Sequence, residues 1–423
     1  MPLSLLPLNA SVDASGRLSI AGVDVLALAE EHGTPLFVYD EDHLRRRCRE
    51  AVAAFGGGVA YASKAFLCKA MAAVAHEEGM AVDVASGGEL HVALAAGVPA
   101  GRLVFHGNNK SLAELATARR VGVGTTVVDS FDEIARLEAL HAGDGRCPRV
   151  LVRVTPGIEA HTHEYVMTGQ EDSKFGFSVA GGAAAAAVAQ LRDSSAVALV
   201  GIHAHIGSQV FALASFVKAV EVLAAFFAPL DLPELCVGGG LGVAYVAGET
   251  APTIAQWGAA VGDACAAAGV AAGTRVTAEP GRAIVAASAV TIYTIGTIKT
   301  LPGIRTFVAV DGGMSDNPRP VLYGSGYEAF LPRATDADRP LVATVVGKHC
   351  ESGDVIVRDA RLPADAAVGD LLATPVTGAY GHSMASVYNK VVRPPILFVR
   401  DGRARVVVRR ESLEDLLALE VDG

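Results

Sequence analysis

The chain has little of what a disulfide scaffold, a metal ribbon or a polyanion-binding surface needs. Its 423 residues include only 6 cysteines (Cys48, Cys68, Cys147, Cys236, Cys265 and Cys350), none in a C-x-x-C pair. That excludes a disulfide framework and a structural zinc ribbon. Lys and Arg number 35 against 45 Asp and Glu, giving a net charge of −10 with no extended basic run. A nucleic-acid surface and a polybasic membrane anchor therefore have no electrostatic footprint, and an anionic ligand must be caught locally. Apolar runs of about 18 residues without polar breaks are also missing, so no membrane-spanning helix is expected. Met1 to Asp13 lacks the basic start and small-residue cleavage pattern of a secretory leader, and the expected location is the cytoplasm.

What is abundant is aliphatic. Hydrophobic residues make up 51% of the chain, mostly Ala and Val, enough for one large core and a second, smaller one. Short β-branched runs alternate with Ala-rich helical stretches, the pattern of a parallel sheet with crossover helices. Eight such strands are expected: Val59–Ser63, Met80–Val84, Arg102–Phe105, Thr125–Val128, Arg149–Val154, Val200–His205, Glu234–Val237 and Arg275–Ala278. Between them lie crossover helices such as Lys69–Gly79, Gly88–Gly97, Ser111–Val121 and Phe131–His141, and Ala183–Ala189 is an alanine-rich helix. The fold class is α/β, a (β/α)8 TIM-type barrel over residues 35–286. After Ala286 the texture turns to period-two runs (Val290–Thr297, Thr306–Val310, Leu341–Val346, Arg403–Arg409), which predict an antiparallel β domain over 287–423. The N-terminal segment 1–34, with a hairpin at Ser11–Val23, is expected to join it.

Function in such a barrel gathers at the C-terminal strand ends, and the unusual polar residues fall there. Lys64 ends the first strand in Tyr61-Ala-Ser-Lys64, Asp83 the second, and His106 with Asn108 and Asn109 follows the third. His205 ends the sixth, Gly238-Gly239-Gly240 follows the seventh, and Glu279-Pro-Gly-Arg282 follows the eighth. Successive glycines let backbone N–H groups close on a phosphate, although a turn needing positive φ would also use them. Ser208 adds a hydroxyl to the same anion. A lysine beside a phosphate cradle points to a Schiff base with pyridoxal 5'-phosphate. Glu279 then faces the pyridine nitrogen, whose protonation strengthens the electron sink, and His205 is a flat ring for stacking.

With these residues in place, the chain resembles the fold-type III pyridoxal-phosphate-dependent decarboxylases of basic amino acids, and within them the branch that acts on diaminopimelate. The resemblance spans nearly the whole chain. It is carried by Tyr61-Ala-Ser-Lys64-Ala-Phe, Asp83-Val-Ala-Ser-Gly-Gly-Glu89, His106-Gly-Asn-Asn-Lys-Ser111, Ser173-Lys-Phe-Gly176, His203-Ala-His-Ile-Gly-Ser208 and Glu279-Pro-Gly-Arg282. Asp311-Gly-Gly-Met-Ser-Asp-Asn-Pro-Arg-Pro320, Cys350-Glu351-Ser-Gly-Asp354 and Gly378-Ala-Tyr380 add to it.

The resemblance implies a homodimer with active sites shared across the interface, decarboxylating meso-2,6-diaminopimelate at its D-centre to L-lysine and CO2, the last step of lysine biosynthesis. It makes Lys64 the Schiff-base lysine, His205 the stacking ring and Glu279 the pyridinium partner. Asp83, Ser208, Gly238, Gly239, Gly240, Arg282 and Tyr380 complete the cofactor contacts. Arg282, Arg319, Tyr323 and Tyr380 meet the substrate. Cys350 as proton donor and Glu351 at the distal ammonium come from the partner subunit.

Two departures stand out. Cys236 occupies a position where the family often has Asp or Asn, and the stretch Gly181–Ala187 matches no motif and reads as helix. Competing readings are a same-fold decarboxylase acting on ornithine, arginine or carboxynorspermidine, an amino-acid racemase, a barrel that carries the cofactor without catalysis, and a metal-dependent hydrolase built on His203-x-His205 or His161-x-His163. The polar stretch His161–Ser173, with Gly169, is the expected closing loop.

Overall fold

The computed structural model describes residues 3–141, 143, 147–157 and 172–421. The chain divides into two compact units: Arg47–Val243 with Ala251–Ala283, and Met1–Arg46 with Ala244–Thr250 and Ile284–Gly423.

In the first unit, eight parallel strands pair in chain order: Ala60–Ala62, Ala81–Val84, Leu103–Phe105, Thr125–Val128, Arg149–Thr155, Ala198–His203, Glu234–Cys236 and Arg275–Thr277. The ring is closed by backbone bonds from Ala60 N–H to Ala278 O (3.0 Å) and from Ala62 N–H to Pro280 O (3.2 Å). All eight coincide with predicted runs. They were readable because strands covered on both faces are continuously apolar. Every residue of Thr125–Val128 is buried, and Val127, Leu151, Val200 and Cys236 form a core cluster.

Helix starts are written into the loops above the strands. Ser86 accepts from Glu89 N–H, Ser130 from Glu133 N–H, and Ser111 with Glu114 and Thr253 with Gln256 form full capping boxes. Each cap contributes about 1 kcal/mol and fixes where the loop before it must end. The alanine-rich segment is the helix Ala183–Asp193, burying Ala184, Ala187, Val188 and Leu191 at helical spacing. Leu213–Leu230 is long and apolar enough by composition to cross a membrane; the sequence reading passes over it because Lys218 and Glu221 interrupt the run. Its apolar face is accounted for: Phe216 lies 5.4 Å from the ring of buried Trp257, which also meets Phe55 at 4.7 Å.

In the second unit, Ala10–Val12, Leu18–Ile20 and Val23–Asp24 form a small antiparallel sheet where the hairpin was predicted. A larger sheet runs in the order Val355–Leu362, Leu341–Val346, Arg305–Val310, Ala289–Leu301, Leu36–Asp40, Ile396–Arg400, Arg403–Val408, with Leu371–Pro375 also on the long strand. Most pairs are antiparallel; Phe307–Ala309 with Thr344–Val346 and Leu36–Asp40 with Ile396–Arg400 are parallel. A parallel pair needs a crossover, and the connection 311–340 is the one that carries Arg319. Leu6, Leu18, Ile20, Leu36, Val38, Val290, Ile292 and Phe330 share one core. Leu36–Asp40 differs from expectation: the reading that starts the barrel at 35 places it there, whereas it is a central strand of this sheet, buried at all five positions. A central strand and a barrel strand share the same apolar signature.

One buried ion pair braces the barrel rim. The Lys110 ammonium donates to Gly107 O at 2.6 Å and to Val127 O at 2.8 Å, and it pairs by charge with Glu133 Oε1 at 2.8 Å. Removing one partner of such a pair leaves an uncompensated buried charge. We expect Lys110→Met to lower unfolding free energy by about 3–5 kcal/mol and Lys110→Met/Glu133→Gln to recover part of that loss, as read by urea denaturation; equal losses would refute the pairing.

Candidate active site

The polar residues at the barrel's C-terminal strand ends converge on one carboxylate. Glu279 follows the eighth strand and is buried, with Oε1 2.8 Å from His106 Nε2 and Oε2 2.9 Å from His203 Nε2. An ionised carboxylate only accepts, so both rings donate. Burial alone would raise the Glu279 pKa; His106 and His203 outweigh it and hold the group well below the usual carboxylate range. His106 also lies 3.8 Å from Asp83 Oδ1. Burial works against its protonation, yet the two carboxylates carry its pKa upward. His203 is driven the other way, to about 4, chiefly by burial. Its Nδ1 is buried without a partner, as befits a neutral ring bearing its one proton on Nε2. Asp83 is pushed up to about 7, first by burial.

Lys64 sits in the short turn Ser63–Ala65 beyond the first strand and is exposed. His205 is held well below the ordinary histidine range, first by burial and then by the charges of Lys64 and Arg153, so it is a neutral ring. Its Nδ1 accepts from Gly239 N–H at 3.1 Å. Ser208 Oγ accepts from Arg282 at 2.9 Å.

The glycine turn is narrower than a simple anion cradle. Gly238 and Gly240 adopt positive φ of 69° and 111°, as the turn reading requires. The Gly239 amide is engaged by His205, so glycine is needed there for space: a Cβ would stand 2.2 Å from Glu279 O. At Gly238 a Cβ would stand 2.3 Å from Ala204 O, and at Gly240 2.4 Å from Gly207 O.

The second unit carries the other predicted residues. Arg319 opens the short helix Arg319–Tyr323 and is buried, with its guanidinium 4.0 Å over the Tyr245 ring and 5.4 Å from that of Tyr327. Nη1 donates to Tyr327 Oη at 2.6 Å and Nη2 to Ser325 Oγ at 3.0 Å, while Nε is buried with no partner. Burial opposes its charge, but the tyrosines raise its pKa. Tyr323 is half-buried, and Tyr380 is held at a left-handed φ of 56°. Cys350 and Glu351 are both exposed; Glu351 accepts from Tyr388 Oη. Neighbouring His349 is fixed at 2.8 Å from Ser315 Oγ and 3.0 Å from Asn389 Oδ1.

The structure thus gathers Asp83 and Glu279 around His106 and His203, joins His205 to the glycine turn, and joins Ser208 to Arg282. Arg319, Tyr323, Tyr380, Cys350 and Glu351 belong to the other unit. Sequence reasoning gave no role to His106, Arg153, Tyr245 or Tyr327. His106 stood in a quoted motif, whereas no spacing links Tyr245 and Tyr327 to Arg319. The zinc alternative on His203-x-His205 is split, since the two rings engage different partners, Glu279 and the Gly239 amide. His161 and His163 lie outside the described residues, as does most of the expected closing loop.

A sequence model described as "Pyridoxal-dependent decarboxylase, pyridoxal binding domain" matches residues 41–286. The chain is 47% identical to a diaminopimelate decarboxylase of Mycobacterium tuberculosis over 98% of this chain and 97% of that one. It is 45% identical to that of Bacillus subtilis over 96% and 95%. Among solved structures, a diaminopimelate decarboxylase of M. jannaschii in co-complex with L-lysine matches with a TM-score of 0.91 at 30% identity, covering 98% of both chains.

Gly239→Ala forces Glu279 or the turn to move. We expect a stability loss of about 1–3 kcal/mol and weakened binding of pyridoxal 5'-phosphate, measured by melting and by titration of the visible band; unchanged values in both would show that the turn has slack.

Proposed function

The chain belongs to the pyridoxal-dependent decarboxylases, among the diaminopimelate decarboxylases, and from that premise we infer that it converts meso-2,6-diaminopimelate to L-lysine and CO2. The observation that carries this reading is the buried, ionised Glu279. A racemase of related plan profits from a weaker electron sink; a carboxylate at the pyridine nitrogen serves the stronger one that decarboxylation needs.

The residues fit pyridoxal 5'-phosphate. The side-chain-free turn at Gly238–Gly240 leaves His205 and Glu279 in close approach, and Ser208 with Arg282 offers donors for a phosphate. Lys64 is an exposed amine for its aldehyde carbon, neutral His205 a ring to stack on it, and Glu279 an acceptor for its ring N–H. Asp83 and Tyr380 complete the binding set. When bound, the cofactor withdraws the electron pair left behind as CO2 departs.

The chain's own residues do the rest. Arg282 and Arg319 bind substrate carboxylate; the unpartnered Nε of Arg319 is a donor still to be satisfied, and a second carboxylate, which ornithine, arginine and lysine lack, would satisfy it. Tyr323 and Tyr380 flank the substrate, and Glu351 receives its distal ammonium. Cys350 Sγ gives a proton to the carbon that has lost CO2 and regains one from water, completing the exchange of carboxylate for hydrogen. Cys350 and Glu351 act on the site of a second copy in a homodimer, a reading supported by their exposure on a loop held in place by His349 and Tyr388. The absence of a disulfide among the six cysteines suits a reducing cytoplasm.

The test is release of CO2 and formation of L-lysine from meso-diaminopimelate with and without added pyridoxal 5'-phosphate. Lys64→Ala should abolish turnover. Arg319→Ala should lower kcat/KM by about 10²–10⁴-fold and Cys350→Ala should lower kcat by about 10²–10⁴-fold with cofactor still bound. Normal kinetics for either variant would remove that residue from the site.

A further inference from the structure

Resting on the reading above, we propose that His106 and His203 are positioning residues with unequal tasks: cationic His106 keeps Glu279 ionised by its charge, whereas neutral His203 only orients the carboxylate by its hydrogen bond.

Geometry carries the distinction. Both rings donate to Glu279, at 2.8 Å and 2.9 Å, and the rings meet edge to face with centroids 4.9 Å apart. His106 Nε2 has a second carboxylate, Asp83, at 3.8 Å, so an imidazolium there stands beside two acidic groups. His203 has no second carboxylate within ion-pair distance among the described residues, its buried Nδ1 has no partner, and a second proton on that ring would be an unsatisfied buried N–H. One positive charge therefore serves the pair, and it resides on His106. The other groups that act electrostatically in this cluster are Lys64, Glu89, Arg153, His205 and Cys236. Arg153 is occupied at 3.5 Å by Asp129 and stacks 4.3 Å over Phe175. His205 is neutral for the reasons given. His106 is thus the only cation hydrogen-bonded to Glu279 among the described residues.

The position of His106 depends in turn on the Lys110 brace. Lys110 Nζ holds Gly107 O, one residue along, at 2.6 Å, and Val127 O at 2.8 Å. Between them stands Gly107 at φ 118°, where a Cβ would meet Ala85 O at 2.9 Å, so the loop turns sharply to bring the His106 ring inward.

The experiment loads apoprotein with pyridoxal 5'-phosphate isotope-labelled at the ring nitrogen and reads that nitrogen's chemical shift at neutral pH, alongside cofactor affinity and turnover. The wild type should sit in the protonated range. His106→Gln keeps a donor but loses the charge, and should move the protonated-to-unprotonated ratio by about tenfold, the equivalent of one pKa unit. His203→Gln keeps the donor and should leave the ratio within about twofold, while His203→Leu should weaken cofactor binding and kcat without KM. Asp83→Asn, which removes the second carboxylate from His106, should shift the ratio in the same direction as His106→Gln and covers the case of a poorly folded His106 variant. A wild-type ratio in both His106→Gln and Asp83→Asn, or equal shifts in His106→Gln and His203→Gln, would overturn the assignment. Failure of the functional reading looks different: the wild type itself would form no visible band and release no CO2.

Discussion

A buried carboxylate between two histidines ties the barrel rim together. Glu279, His106 and His203 come from the ends of the eighth, third and sixth strands, and an ionised carboxylate in such a place would cost several kcal/mol without donors on both oxygens. The 2.8 Å and 2.9 Å contacts meet that cost. They also dictate neighbours. Because Glu279 N–H donates to Gly238 O at 2.7 Å and its carbonyl crowds Gly239, the glycine turn is a condition of seating Glu279 as much as a feature for an anion. The usual explanation of a glycine-rich loop, open amides, holds only partly here.

Around that cluster lies a second layer of buried charge. Lys110 with Glu133 and Arg153 with Asp129 link the loops after the third, fourth and fifth strands, and Asp129 Oδ1 also accepts from Gly176 N–H at 2.8 Å. That last contact explains the Ser173–Gly176 motif physically: Gly176, at φ 68° with Arg153 O 2.8 Å from any Cβ, lets the chain press onto the fifth strand. Each charge faces its opposite at close range, so the pairs add rigidity at the rim more than net stability.

Much of this was legible in the residues. Eight apolar runs became eight strands because burial on both faces imposes a composition that nothing else in the unit shares. The helices above them begin at serines that accept from the amide of a glutamate three residues on, a signal present in the sequence but not used in placing them. Leu36–Asp40 was assigned to the wrong body for the same reason, since a central sheet strand satisfies the identical rule. The clamp was legible only as ingredients: His106 and Glu279 are separated by 173 positions, and only closure of the ring makes them neighbours. The Arg319 cage had no signal at all. Tyr245 lies in sequence inside the barrel half of the chain, yet packs with Tyr327 at 5.3 Å in the other unit.

The placement of protons settles how a chain of net charge −10 accommodates an anionic cofactor and substrate. Screening reduces the influence of exposed charges beyond about 8 Å, so the global sign matters less than the sign of the few groups near the site. Burial strips the charge from His203 and His205 and raises Asp83 to about 7, leaving His106 as the cation beside Glu279, the firmly ionised acid. In the other unit, burial opposes the charge of Arg319 and the surrounding tyrosines offset it. Neutral imidazole at His205 is the necessary complement: an imidazolium there would turn a second N–H toward a buried amide, Gly239 N–H, that needs an acceptor. Burial keeps the ring neutral, and the hydrogen bond from Gly239 N–H then uses the lone pair that the neutral ring offers.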